Sequence, residues 1–93
     1  MRSITSLASI PDATMRAAGR YRGLAFKWER WQKRNADWDH DHCFFCEACI
    51  CDSAQTGHYA HAFVVEYESD SPFWVCRSCF KLVRQSFDWH IDG

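Results

Sequence analysis

Two Cys-x-x-Cys pairs constrain this chain more than any other feature. Cys43 and Cys46 form the first pair, and Cys76 and Cys79 form the second. Two residues between cysteines allow both sulfurs of a tight turn to face one ion, and two such turns complete the tetrahedral shell that zinc favours. Four thiolates leave no position for water or substrate. The sequence therefore predicts one structural zinc on these four residues and no catalytic residues.

The size of the chain makes a structural metal useful. With 93 residues there is room for one domain, and a core this small often needs a metal or a disulfide to hold it together. Five Trp, seven Phe and three Tyr predict an aromatic core around that site.

Cysteine usage also bears on the cellular compartment. Six cysteines could instead form three disulfides in a secreted protein. Polar residues and a proline interrupt the apolar residues near the N-terminus, so we expect no secretory signal and a reducing, cytoplasmic compartment. The arginines and hydroxyls of residues 1–22 leave an organellar transit peptide as an alternative. No apolar run is long enough for a membrane helix, so no membrane association is predicted.

Charge and periodicity divide the chain into three segments. Residues 1–35 carry a net charge of +6 and residues 36–93 a net charge of −7. We expect a weakly structured leader over residues 1–11 and a basic amphipathic helix over residues 12–36, with Asp12 near its start. Leu24, Trp28 and Trp31 recur at helical spacing on one face of that helix. Residues 37–93 are expected to form the zinc-binding domain.

Within that domain, the pattern predicts a hairpin and a terminal helix. Apolar and polar residues alternate from Tyr59 to Glu68, which predicts a strand with one face in water, and Phe73–Val75 can return as its partner. Polar, turn-like residues fill 53–57, and a turn is expected over residues 69–72. A short helix is expected over residues 80–87, followed by Trp89 and Ile91 in the core.

The order knuckle, hairpin, knuckle, helix resembles the treble-clef zinc finger over residues 43–87. In that family the last two cysteines stand on the first turn of the final helix. The resemblance implies a small α+β metal-stabilised domain, but treble clefs serve several functions. Three further segments resemble those of small uncharacterised bacterial proteins: residues 40–46 (His-Asp-His-Cys-x-x-Cys), 74–80 (Trp-Val-Cys-x-x-Cys-Phe) and 87–89 (Phe-x-Trp). No activity follows from that likeness.

Cys49 and Cys51 allow other interpretations. With His58 and His61 they could bind a second zinc. The run Cys43, Cys46, Cys49 also begins like a ferredoxin iron–sulfur motif. Alternatively, both are small buried hydrophobes with free thiols. Treble-clef nucleases carry a catalytic histidine on the hairpin between the knuckles, and only His58 or His61 could serve here; we expect no enzyme.

The functional prediction is a non-enzymatic zinc-binding adaptor, or an immunity-like inhibitor, that binds a protein partner. The acidic half has the wrong sign for a phosphate backbone and suits a basic or apolar protein surface. The alternative is a nucleic-acid-binding zinc-finger protein that uses the basic N-terminal helix. The residues expected to contact nucleic acid in that case are Arg16, Arg20, Arg22, Lys27, Arg30, Lys33 and Arg34.

Overall fold

The described residues form two α-helices, two short 3₁₀ turns and two β-sheets. The computed structural model describes residues 4–33, 36–52, 58–66 and 72–92. The 3₁₀ turns cover Leu7–Ser9 and Gly19–Tyr21. The helices and strands are α1 (Asp12–Ala18), β1 (Ala25–Arg30), β2 (Asp41–His42), β3 (Cys49–Ile50), β4 (His58–Tyr59), β5 (His61–Val65), β6 (Phe73–Val75), α2 (Arg77–Phe87) and β7 (His90–Ile91).

The larger sheet has the strand order β6-β5-β1-β7. Strand β5 lies between two antiparallel neighbours, with Phe63 paired to Trp28 on β1 and to Val75 on β6. Strand β7 pairs parallel to the other edge of β1. The smaller sheet has the order β2-β3-β4, in which β2 and β3 are antiparallel and β3 and β4 are parallel. The first cysteine pair follows β2 of the smaller sheet, and the second pair follows β6 of the larger sheet.

The described residues after Ala18 contradict the helix predicted over residues 12–36. Gly23 adopts a left-handed conformation, with φ of 79°, which glycine takes at no steric cost and which turns the chain out of the preceding 3₁₀ turn. The chain then continues as β1, where Phe26 is fully buried and Trp28 is 46% exposed. Residues 27–30 of β1 pair with β5, and Ala25 and Phe26 pair with β7, so tertiary backbone pairing overrides the helical spacing of the apolar residues.

The terminal helix is confirmed and forms one wall of the core. Phe80, Val83 and Phe87 lie on one face of α2 and are buried. The ring of Phe80 stacks on that of Phe63 from β5, with centroids 4.0 Å apart. Trp89 is buried as predicted, and its indole donates a hydrogen bond to the backbone carbonyl of Tyr21 at 3.0 Å. Ile91, in contrast, is 46% exposed on edge strand β7, so its predicted place in the core is wrong.

The two predicted hairpin strands are paired, but the face predicted to be exposed to water is partly buried. β5 and β6 are antiparallel, as expected. Val64, predicted to face water, is buried at 8% exposure, because β5 is a central strand of the sheet. Val65 is partly buried. The turns predicted at 53–57 and 69–72 lie outside the described residues, except for Pro72. The result is a small α+β fold with cysteine-rich clusters.

No helix among the described residues is long and apolar enough to cross a membrane.

Candidate metal centres

The first cysteine pair lies in a tight turn after β2. The Cys43 amide donates to the Ala48 carbonyl at 2.9 Å, and the Glu47 amide donates to the Cys43 carbonyl at 3.0 Å. Glu47 closes the turn in a left-handed conformation, with φ of 66°. This backbone geometry places Cys43 and Cys46 on the same side of the turn.

The second pair lies where β6 passes into α2. Cys76 is the N-cap of the helix and Cys79 is in its first turn. The Phe44 amide donates to the Trp74 carbonyl at 3.0 Å, which fastens the first turn to β6. The Cys76 amide donates to the Cys43 sulfur at 3.3 Å. Backbone N–H groups at a helix start favour negative charge, so this position suits thiolates.

The structure brings together all four cysteines that the spacing predicts as zinc ligands. Their sulfurs lie within 4.8 Å of one another, and all four residues are buried. The Cys46 and Cys76 sulfurs are 3.7 Å apart. Zn–S bonds of about 2.3 Å in a tetrahedral shell place the sulfurs about 3.8 Å apart. This group could therefore hold a metal ion, and its donor set fits zinc.

Proton affinities within this group follow from the short distances between the sulfurs. Hydrogen bonds from the Cys76 and Cys79 thiols lower the pKa of Cys43 to about 2. The same hydrogen bond to Cys43 raises the pKa of Cys76 to about 12, and the pKa of Cys79 is also raised, chiefly by its hydrogen bond to Cys43. Further thiolates in this buried space need a positive ion between them.

A second group contains Cys49, Cys51 and His58. Strand β3 carries Cys49 directly opposite His58 on β4, and the Cys51 amide donates to the Tyr59 carbonyl at 2.9 Å. The Cys49 and Cys51 sulfurs are 3.6 Å apart, and the Cys51 sulfur is 3.5 Å from His58 Nδ1. These three ligand atoms also lie within 4.8 Å of one another. Burial and the hydrogen bond to Cys51 raise the pKa of Cys49 to about 11.

His61, the fourth residue predicted for a second zinc, lies elsewhere. It is exposed on β5, where its ring stacks on that of Trp28 with centroids 5.9 Å apart. The prediction failed because a bend at Ala60 separates β4 from β5, so His58 and His61 belong to different sheets. Among the residues that the structure describes, the second group therefore has three members, not four.

His42 is a neighbour of the second group that the spacing did not single out. It pairs with Cys49 across β2 and β3, and directly paired residues of antiparallel strands share one face of the sheet. His42 Nδ1 is 3.1 Å from the carbonyl oxygen of Glu47. With the proton on Nδ1, this contact is a hydrogen bond that leaves Nε2 unprotonated.

The positions of the cysteines decide between the disulfide and iron–sulfur interpretations. All six cysteines are free, so the three-disulfide interpretation is wrong. The ferredoxin-like run is divided, because Cys49 groups with Cys51 and not with Cys43 and Cys46. The structure thus shows two separate cysteine-rich groups.

The basic residues expected on one helix are distributed over several elements. Arg16 lies on α1, and Arg20 is in the following 3₁₀ turn with its guanidinium 5.3 Å from the Tyr21 ring centroid. Arg22 donates to the Ser86 carbonyl at 2.9 Å. Arg30, at the end of β1, forms an ion pair with Asp52. Arg34 lies outside the described residues.

An open groove of about 540 Å³ lies on one face of β1, β5 and β6. Val64 and Trp74 are paired on neighbouring strands and line the groove, although each is only 8% exposed. Its charged lining residues have both signs. The lining is Lys27, Glu29, Arg30, Gln32, Lys33, Val64, Val65, Glu66, Pro72 and Trp74.

Asp41 has a structural role that the sequence did not indicate. One of its carboxylate oxygens accepts hydrogen bonds from the indoles of Trp31, at 2.8 Å, and Trp38, at 2.9 Å. Trp31 is buried, and its amide donates to the Ala60 carbonyl at 2.7 Å. Asp41 therefore holds together the segments around the smaller sheet.

Comparisons with protein-family models, with curated proteins and with solved structures found no match to this chain. The fold and its two clusters define a small α+β protein with two cysteine-rich groups that could hold metal ions.

Proposed function

We propose that this chain is a non-enzymatic adaptor or immunity-like inhibitor that binds a protein partner and is stabilised by zinc in a treble-clef-like domain. One observation carries the metal part of the proposal: four buried cysteine sulfurs from two distant segments lie within 4.8 Å of one another. Four thiolates saturate a tetrahedral zinc, which favours a structural over a catalytic role.

The treble-clef-like assignment is supported by the order of elements. A cysteine turn, the β5 and β6 pair, a second cysteine pair and α2 follow one another, and Cys79 lies in the first turn of that helix. Strands β1 and β7 extend the hairpin into a four-stranded sheet. We infer that the N-terminal segment is part of the same structural unit as the metal site.

The groove supports the adaptor part of the proposal. Trp74 and Arg30 line the groove, and Trp and Arg are the residue types that contribute much of the binding energy in protein interfaces. Glu29 and Glu66 line the groove beside three basic residues, and these two acids are the groups that can pair with basic residues of a partner. We propose the groove as the contact surface.

Charge reversal of the groove tests this proposal. The full chain and the variant Glu29→Lys/Glu66→Lys are used to capture proteins from a lysate of the source organism, and each captured protein is purified and its affinity measured by calorimetry. We expect the variant to weaken binding at least tenfold. A matched variant, Asp37→Lys/Asp39→Lys, changes the charge equally in the exposed loop before β2.

The two variants distinguish the outcomes. Loss of affinity only with the loop variant would move the contact surface to the acidic loop. Unchanged affinity with both would contradict an acid-dependent adaptor. Asp41 is left intact in both, because it binds two indoles within the fold.

Nucleic-acid binding is the second proposal, and the geometry supports it less. Arg22 and Arg30 already interact with a backbone carbonyl and with Asp52. If nucleic acid binds, its affinity must fall with salt by a slope of about −0.9 per phosphate contact on duplex DNA. A flat salt response would exclude this second proposal.

A further inference from the structure

We propose that Cys49, Cys51 and His58 bind a second zinc ion through three protein ligands, and that the fourth position of this ion is open to solvent. This ion would exchange with a chelator far faster than an ion bound by the four buried cysteines. The inference does not depend on the adaptor proposal, because it rests only on the second group.

The distances within the group match those of a zinc shell. Zn–S bonds of about 2.3 Å and Zn–N bonds of about 2.0–2.1 Å, at tetrahedral angles, separate two sulfurs by about 3.8 Å and a sulfur from a nitrogen by about 3.5 Å. The Cys49 and Cys51 sulfurs are 3.6 Å apart, and the Cys51 sulfur is 3.5 Å from His58 Nδ1. An ion could enter between these atoms with small side-chain movements.

The backbone holds the ligands in this arrangement. Pairing of β3 and β4 places Cys49 opposite His58, and alternation along the strand direction returns Cys51 to the same face. The Cys51 amide is bonded to β4 through the Tyr59 carbonyl. The ligands therefore come from two adjacent strands that are already joined by hydrogen bonds.

Two observations indicate an open fourth position. Within the ranges that the structure describes, no fourth Cys, His, Asp or Glu joins this group. The five residues between Asp52 and His58 are Ser-Ala-Gln-Thr-Gly, which include none of these ligand types. Cys49 and His58 are also partly exposed, whereas all members of the four-cysteine group are buried. A zinc with three protein ligands completes its shell with water or another small ligand.

The first experiment measures how many zinc ions each chain binds and how fast each ion is released. The full chain is purified under reducing conditions, loaded with excess zinc, desalted and analysed for zinc per chain. It is then mixed with a coloured chelator. We expect two zinc ions per chain, one released in a fast phase and one released at least a hundredfold more slowly. A single zinc per chain, or a single release phase for both ions, would overturn the proposal.

His58 and His61 are three positions apart in the sequence and give a matched pair of variants. His58→Ala should reduce the zinc content from two to one and abolish the fast phase, while its far-UV circular dichroism remains that of the parent chain. His61→Ala should retain both ions, because His61 lies outside the group. Cys51→Ser, which preserves the size of the side chain, should behave as His58→Ala does. Two ions in both His58→Ala and Cys51→Ser would refute the ligand assignment.

A cobalt-substituted sample tests the open position. Imidazole added to the Co²⁺-loaded chain should change the visible spectrum, and the change should be absent in Cys51→Ser. His42, which pairs with Cys49, and Asp39, whose charge acts on Cys49, are protein groups that could compete for this position. If imidazole changes the spectrum of His42→Asn but leaves that of the parent chain unchanged, then His42 fills the fourth position and the open-site proposal is wrong.

Discussion

The two cysteine-rich groups differ in burial, in composition and in how far apart their ligands lie in the sequence. The four-cysteine group joins residues 43–46 to residues 76–79 and is buried. The second group joins residues 49–51 to His58 and is partly exposed. An ion in the first group closes a loop of chain and bridges the larger sheet, α2 and the cysteine turn. An ion in the second group fastens only two short neighbouring strands.

This difference predicts different roles for metal in the two places. Closing a longer loop removes more conformational entropy from the unfolded chain. A buried set of thiolates without a cation is also costly, because the like charges are desolvated. The four-cysteine group should therefore determine whether the chain folds, and the second group should alter a surface of a chain that is already folded.

The largest effect is expected when one ligand of the four-cysteine group is removed. Cys46→Ser or Cys79→Ser should unfold residues 43–89 and release the metal, because zinc binding in such domains supplies about 10–16 kcal/mol of apparent free energy at pH 7. Loss of amide dispersion in a two-dimensional NMR spectrum and loss of zinc by elemental analysis are the measurements.

Ser78→Ala is the matched control for Cys79→Ser. Ser78 is an exposed neighbour in the first turn of α2, and its change should leave both fold and zinc content intact. A folded Cys79→Ser variant that still binds zinc in the four-cysteine group would contradict the predicted dependence of the fold on this metal.

The pH dependence of zinc affinity should follow from the raised pKa values of Cys76 and Cys79. Both thiols are protonated between pH 6 and 8, so zinc must displace at least two protons, and affinity must fall as pH falls. The expected slope is at least about two log units per pH unit, or about 2.7 kcal/mol per pH unit. Competition with a chelator of known pH dependence, in the His58→Ala variant, isolates the four-cysteine group.

The value of that slope also indicates whether the metal-free chain is folded or unfolded. Cys43 has a pKa of about 2 in the folded cluster, so it contributes no proton there. In an unfolded chain all four thiols have pKa values of about 8.5 and release four protons. A slope near four would therefore mean that the metal-free chain is unfolded, and an affinity independent of pH would contradict thiolate ligation.

The cysteine spacing was sufficient to predict which four residues converge. It also predicted the β5 and β6 pair and the helix after Cys79, because each of these depends on local pattern. The secondary structure of residues 25–30, which form β1, could not be predicted in the same way. Its apolar residues fit a helical and an alternating pattern, and only the pairing with β5 and β7 decides between them.

The second group shows the same limit at the scale of single residues. Cys49, Cys51 and His58 come together because β3 and β4 pair in parallel register, and the exclusion of His61 depends on a bend at Ala60. Neither the register of two-residue strands nor the position of that bend follows from residue types. The spacing argument therefore placed His61 in a group that, among the described residues, does not include it.

The smallest expected effect concerns Glu47, which lies between the two groups, directly after Cys46 and two residues before Cys49. Its left-handed conformation, with φ of 66°, is unfavourable for a residue with a side chain, so Glu47→Gly should stabilise the zinc-loaded chain by up to about 1 kcal/mol. Asp88 ends α2 with φ of 53°, and Asp88→Gly makes the same kind of change far along the chain from the cysteine turn, with a smaller expected gain because Asp tolerates the left-handed conformation better than Glu. Urea unfolding of the zinc-loaded variants measures both.

The rate of zinc release from the four-cysteine group tests whether the metal imposes the geometry of the cysteine turn. If it does, Glu47→Gly should slow this release, whereas Asp88→Gly should not. Equal release rates in the two variants would mean that the backbone alone forms the turn and that the metal binds to a site already in place.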